Sequence, residues 1–295
     1  MTKRRKITII TAALALAIAA AAVFFIFPRK SSSGSETPSR ISVYDNAAGV
    51  IYTPSYEDFL AGCVAGLTPN NSELDPEAMR AVAIAENTRI KYFLANKSGF
   101  GGIGDLGADL TVSEYLPYSP EKVNERVKKA AKEAANASLS FNGEPFIAPI
   151  CRISAGRTEA LPPYSPSIGL PCDVDAPGCN GSSSFTPEAV REALGGGNLS
   201  YNFAEWFRDP VYTENGTLRY IEFSGERITG DTLKKKLGLR STAISVDFRE
   251  DLFYFTTKGW GDNKGMSVNA ANYLAKKGKT AEEILAIFYP EAVIN

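Results

Sequence analysis

The chain has 295 residues, of which 44% are apolar and 22% charged, with 32 Lys and Arg against 33 Asp and Glu and no histidine. Such a chain is globular and long enough for one large or two ordinary domains with a real core. The absence of a basic excess argues against nucleic acid as a partner, and the absence of histidine excludes imidazole catalysis, imidazole metal ligands and histidine pH switches within this polypeptide. Residues 7–27, ITIITAALALAIAAAAVFFIF, run 21 residues without a charge, about the length that crosses a hydrocarbon core of roughly 30 Å. Lys3, Arg4, Arg5 and Lys6 precede this stretch, and Arg29 and Lys30 follow it. The positive-inside bias therefore predicts a cytoplasmic tail over 1–6, a single transmembrane helix over 7–27 and everything beyond it outside the cell membrane. A cleaved secretory signal is the competing reading, but the apolar stretch is longer than a usual signal core and ends in bulky residues. Residues 28–40 include SSSGSETPSR, small, polar and proline-containing, and read as a flexible linker. The folded part is expected over 41–295.

A short helix is predicted over 56–66. Asp75-Pro76-Glu77 places a cap before a proline at the first helical position, and Met79, Val82, Ala83, Glu86, Ile90 and Phe93 recur at helical spacing to about Ala95. Ser119-Pro120-Glu121 is read as the start of another helix, whose Lys128, Lys129, Lys132 and Glu133 form a solvated face. Residues 139–151 suggest a hairpin through Asn142-Gly143 into a strand ending at Cys151. Residues 155–184, rich in Gly, Pro and Ser, read as a long ordered loop or lobe boundary. Thr186-Pro187-Glu188 opens a short helix, and 218–223, 243–248 and 252–257 are strand-like. Two closing helices start near Met266 and Ala281, the second behind a capping box, Thr280 to Glu283. Helices and strands are mixed rather than alternating, so the fold class is α+β, with antiparallel-type strands in a one- or two-lobed extracytoplasmic domain.

Three separated stretches carry a resemblance. YEDFLAGCVAGLTP (56–69) is followed by EAMRAVAIA (77–85); FNGEPFIA (141–148) is followed by SAGRTE (154–159); and GLRST (238–242) and GWGDNKGMS (259–267) are followed by KGKT (277–280) and EIL (283–285). In this order they resemble the stage II sporulation protein D family, with its V-A-G-E-M-P segment, its S-S-G-G-x-T-E region and its G-x-G-H-G-V-G-M-S segment. The resemblance implies an extracytoplasmic protein that engages peptidoglycan glycan strands, beside other membrane-anchored envelope or engulfment proteins. Active members of that family are lytic transglycosylases. Their chemistry needs a carboxyl held protonated in a partly apolar cleft, which gives its proton to the glycosidic oxygen as the muramic 6-hydroxyl closes an anhydro ring. In this chain the position matching the family's acid is Leu67, which neither donates nor accepts a proton.

Other carboxylates are candidates for a relocated acid. Glu86 falls within an apolar helical stripe, where its pKa should rise, and its ordinary reading is a pair with Arg89, Lys91 or a backbone donor. Glu73 and Asp262 sit in loop segments, where a lone carboxylate is usually solvated. If the three stretches converge, Ser154, Arg157, Thr158, Trp260, Lys264 and Ser267 are the candidates for glycan contact, each with an ordinary structural reading beside it: core for Trp260, turns for Ser154 and Thr158, surface for Lys264. Some members of the family hold a structural zinc with Cys and His. With three nearby thiols and no histidine no metal or other cofactor is expected here, and a Cys172 to Cys179 disulfide ranks above zinc, with free buried thiols, notably Cys63, also open. The balance favours a noncatalytic peptidoglycan-binding module over an active transglycosylase or a scaffold without glycan affinity.

Overall fold

The computed structural model describes residues 37–46, 48–68, 70–96, 107–112, 116–195 and 199–295, so the expected tail and transmembrane segment and most of the linker lie outside the described residues. No helix among the described residues is long and apolar enough to cross a membrane. Residues Thr37–Asn295 form one compact unit, in which the described residues make a mixed α+β arrangement of eight α-helices and small sheets.

β1 (Val43–Asp45) turns back on β2 (Val50–Tyr52), Val43 facing Tyr52 across the antiparallel pair. α1 (Tyr56–Leu67) starts where the Ser55 hydroxyl accepts the Asp58 amide, with Glu57 and Asp58 favourably placed in its first turn. It ends at Thr68, whose amide and hydroxyl both return to the Val64 carbonyl. α2 (Pro76–Ala95) is capped by Asp75 and is buried without interruption from Ala81 to Ile90. A helix covered all round in this way is the centre of a core, not an amphipathic surface element. β3 (Leu110–Thr111) then joins β1 in parallel.

The next helix begins later than the sequence suggests. Ser119 makes no side-chain cap, its amide donates to the Gly62 carbonyl of α1, and Pro120–Lys122 forms only a single 3-10 turn. α3 (Glu125–Ala134) starts instead at Asn124, whose side chain accepts the Val127 amide. β4 (Leu139–Ser140) leads into the Asn142-Gly143 turn, which has positive φ at both residues and reciprocal bonds between Phe141 and Glu144. No hairpin grows from this turn, because β5 (Ile150–Cys151) takes its partner from near the end of the chain.

The Gly, Pro and Ser-rich stretch contains α4 (Pro171–Val174) and, contrary to the expectation of loop, β6 (Asn180–Phe185). After α5 (Pro187–Leu194) come β7 (Phe207–Tyr212), β8 (Leu218–Phe223), β9 (Glu226–Thr229), α6 (Gly230–Leu237), β10 (Ala243–Arg249) and β11 (Leu252–Lys258). They form two antiparallel sheets, ordered β7-β8-β9 and β10-β11-β6. Between them lies an aromatic core in which Trp206 stacks on Phe253 at 5.4 Å and Phe207 meets Phe253 and Phe255 edge-on.

β12 (Met266–Ser267) pairs in parallel with β5, and α7 (Val268–Lys276) follows at once. α8 (Ala281–Phe288) carries the expected capping box, and β13 (Val293–Ile294) closes on β4. α7 and α8 both pack on α2. The helical core is therefore built from both ends of the chain, and the sheet-rich lobe is inserted between them.

Candidate functional site

The insertion leaves the helical core at 152–179 and returns to it at 259–265, and these two crossings hold the motif residues. The backbones of Ile153 and Trp260 pair, with the Trp260 amide donating to the Ile153 carbonyl at 2.7 Å and the Ile153 amide returning at 3.3 Å. Gly259 and Gly261 flank the indole at φ 78 and 126, and a Cβ on Gly261 would lie 2.8 Å from that of Cys151. Only glycine combines that backbone with that closeness.

Trp260 is half-buried between two guanidinium groups, Arg152 at 4.6 Å and Arg240 at 4.3 Å from its ring centre. Each cation is held from behind: Arg152 Nη2 donates to the Gly66 carbonyl at 2.5 Å, and Arg240 Nη2 donates to the Gly178 carbonyl at 2.7 Å. Burial, and then the neighbouring Arg240, pull the Arg152 pKa below its ordinary value. Through Arg152 the C-terminal turn of α1, with Leu67 as its last residue, is tied to Trp260. The three motif stretches thus meet in one place.

Asn263 is the joint of this junction. It is buried at φ 62. Its Oδ1 accepts the Ala155 amide at 2.9 Å, and its Nδ2 donates to the Arg157 carbonyl at 2.8 Å and to Thr217 Oγ1 at 3.2 Å. Its own carbonyl accepts the Glu159 amide at 2.8 Å. The buried Asp173 is a second joint, since its carboxylate accepts the Ser154 amide at 2.8 Å and Asn269 Nδ2 at 2.8 Å. Sequence reasoning passed over both. The one available signal was an asparagine within a glycine-rich run, the residue type that best tolerates positive φ after glycine. Asn263→Ala is expected to destabilise the fold by about 2–4 kcal/mol, through lost buried bonds and a strained backbone. Asn263→Gly should recover the backbone part of that loss, and denaturant unfolding of the two variants side by side measures the split.

The six glycan-contact candidates divide. Ser154, Thr158 and Ser267 are fully buried, and their hydroxyls accept the amides of Gly156, Ile168 and Ala270 respectively. They shape the junction and do not face solvent. Arg157 is exposed, and Trp260 and Lys264 are half-buried, so these three remain accessible.

Leu67 is buried at 5% exposure. Glu86 is wholly buried, pairs with Arg89 at 3.0 Å and accepts no hydrogen bond at either carboxylate oxygen. Burial pushes its pKa from 4.5 up to about 7, against the opposing pull of Arg89. Glu73 is exposed in the turn before Asp75. Asp262 borders a cavity of about 210 Å³ with Arg89, Lys234 and Lys264. Burial raises its pKa, while Lys264 and Lys234 act to lower it. Among these carboxyls Asp262 is the one that combines access with a raised pKa.

All four cysteines are free thiols, so the expected bridge between Cys172 and Cys179 is not formed. Cys172 sits on α4 against the helical core, while buried Cys179 turns its Sγ toward the Ser154 carbonyl at 3.8 Å. Among the described residues no group of three or more Cys, Asp or Glu is placed to hold a metal ion.

No protein-family model matches the chain. It is 26% identical over 289 residues to stage II sporulation protein D of Bacillus subtilis (strain 168), a match that covers 90% of this chain and 83% of that protein. It is 25% identical over 272 residues to stage II sporulation protein D of Bacillus amyloliquefaciens, covering 86% and 78% respectively. The chain is thus a distant homologue of stage II sporulation protein D along most of its length.

Proposed function

We propose that this chain is a membrane-anchored cell-envelope protein of the sporulation protein D type that binds peptidoglycan glycan strands without cleaving them. The observation that carries the proposal is Leu67. The motif around it is kept, its helix is tied through Arg152 to Trp260, and the side chain at the acid position of the resemblance is a buried hydrocarbon. General acid catalysis of glycosidic cleavage requires a proton donor within hydrogen-bond reach of the leaving oxygen, and leucine has none to give. Neither Glu86 nor Asp262 replaces it: Glu86 is wholly buried and faces a cation inside the helical core, and Asp262 borders a cavity with Lys234 and Lys264, whose charges favour its ionised form.

Binding outlives the acid more readily than catalysis does. Trp260 offers an indole edge between two guanidinium groups, and exposed Arg157 and half-buried Lys264 belong to the same two crossings. Planar and hydrogen-bonding groups of this kind suit sugar rings and their N-acetyl substituents. The N-terminal apolar stretch supplies the membrane anchor in this reading, which places the folded unit on the wall side.

The test uses the full chain in nonionic detergent. It is expected to sediment with purified sacculi and to release no anhydromuramic products from them by mass spectrometry. Release of such products by the unaltered chain would overturn the noncatalytic reading. Failure to sediment would leave a scaffold for protein partners as the better account.

A further inference from the structure

The inserted lobe carries a second feature that the junction does not account for. In the sheet β10-β11-β6 the register places Ala243, Lys258 and Asn180 in one row across the strands, and Ser245, Thr256 and Ser182 in the next. Side chains alternate across a strand, so these rows share one face, while Ile244, Phe253 and Phe255 point the other way into the aromatic core. The outward face is floored by short side chains that end in a hydroxyl, an amide or a methyl. Beside it the hairpin between β7 and β8 rises as a wall through Tyr212, Asn215 and Gly216. Low floor and raised wall together enclose a groove of about 690 Å³, within the range of small-molecule sites.

The wall is fixed. Glu159, from the junction, accepts Thr213 Oγ1 at 2.6 Å and Asn215 Nδ2 at 3.1 Å. The groove is also continuous with the candidate site, because Ala155 closes one end of it and Lys258 stands two residues before Trp260. Lys258 is the single charged residue among the described lining, which otherwise mixes hydroxyls, amides and one phenol with apolar surface, Ala155 and Ala243 included. The Ser245 and Thr256 hydroxyls already bond to each other at 2.5 Å, so the floor is ordered before any ligand arrives.

We propose that this groove is an extended subsite that holds further sugar rings of a glycan strand already engaged at the junction. The proposal rests on the glycan-binding reading above. Hydroxyls that donate and accept match the hydroxyl and N-acetyl groups of an uncharged polysaccharide, and half-exposed Tyr212 offers a ring face for a pyranose. A charged peptide finds one cation and no carboxylate to answer it.

The experiment measures binding of the full chain in nonionic detergent to three probes: long peptide-stripped glycan strands, the N-acetylglucosamine–N-acetylmuramic acid disaccharide, and strands that keep their stem peptides. Ser182→Glu and Tyr212→Ala are compared with Tyr201→Ala, an aromatic that is 99% exposed and outside the groove. Both groove variants are expected to weaken long-strand binding about tenfold, Tyr212→Ala by the loss of an aromatic anchor and Ser182→Glu by the bulk and charge it sets on the groove floor. Disaccharide binding and the unfolding midpoint should stay unchanged, and Tyr201→Ala should change nothing. Long strands that bind the two groove variants as tightly as the unaltered chain would overturn the subsite while leaving the glycan reading intact. Binding only to strands that keep their peptides would replace the sugar by a peptide as occupant. No binding of the unaltered chain to any probe would remove the glycan reading, and the subsite with it.

Discussion

Leu67→Glu is expected to make the chain release anhydromuramic products from glycan strands where the unaltered chain releases none. A carboxyl at this position ends α1 in a site only 5% exposed. Desolvation there raises its pKa, which keeps a proton available near neutral pH. Arg152 opposes this, since its guanidinium already reaches the neighbouring Gly66 carbonyl at 2.5 Å. That cation also faces Trp260 and has a depressed pKa of its own, both signs of a partly dry position. The expected gain is that of one positioned general acid, about 10²–10⁴-fold over the background of the unaltered chain. Exchanging a buried hydrocarbon for a protonated carboxyl should cost about 1–3 kcal/mol of stability, so the unfolding midpoint must be read beside the product assay. Leu67→Gln, with the same bulk and no acidic proton, should release nothing. A folded Leu67→Glu protein that is equally silent would mean that the groove, and not only the acid, has diverged.

The elements that sequence reasoning recovered are those whose signals are local. Asp75-Pro76, the stripe from Met79 to Phe93 and the box from Thr280 to Glu283 each contain their own cap and their own face, and α2 and α8 follow. β6 was missed for the opposite reason. Its sequence, NGSSSF, has low strand propensity, and it is a strand because β11, more than sixty residues later, pairs with it. The start of α3 was misplaced because the Ser119-Pro120-Glu121 signal opens only a 3-10 turn without a side-chain cap, and Asn124 caps the α-helix that follows. The candidate site shows the same division. That Leu67 is no acid, and that Trp260 sits in a glycine-rich segment, is plain in the letters. That Ser154, Thr158 and Ser267 turn inward, and that Asn263 and Asp173 join segments some twenty to more than a hundred residues apart, is a matter of tertiary geometry.

Stability is expected to decline as pH rises from about 4.5 to about 7, with Glu86 responsible for a large part of the decline. Its folded pKa of about 7 lies above the ordinary 4.5, so the folded state holds a proton that the unfolded state gives up. The contribution is fully present below the unfolded value and is lost as pH climbs through the folded one. A span of about 2.5 pH units corresponds to about 3 kcal/mol. Glu86→Gln should flatten that slope in denaturant unfolding measured from pH 4 to 8, and an unchanged slope would remove Glu86 as its source. Arg89 sharpens the test. Its guanidinium is the cation facing Glu86 at 3.0 Å, with Tyr56, Cys63 and Tyr289 close enough to feel the carboxylate charge. Arg89→Met removes the cation that holds the Glu86 pKa down and should cost about 3–5 kcal/mol at pH 8, where the buried carboxyl must either stay charged without a partner or hold a proton that the unfolded chain gives up. At pH 5 the same variant should lose less, because Glu86 can stay protonated. The double variant Glu86→Leu/Arg89→Met should be more stable at pH 8 than Arg89→Met alone, since neither carboxylate oxygen of Glu86 accepts a hydrogen bond that leucine would forfeit. A double variant as unstable as the single one would mean that this pair holds α2 in place by its geometry and not by its charge.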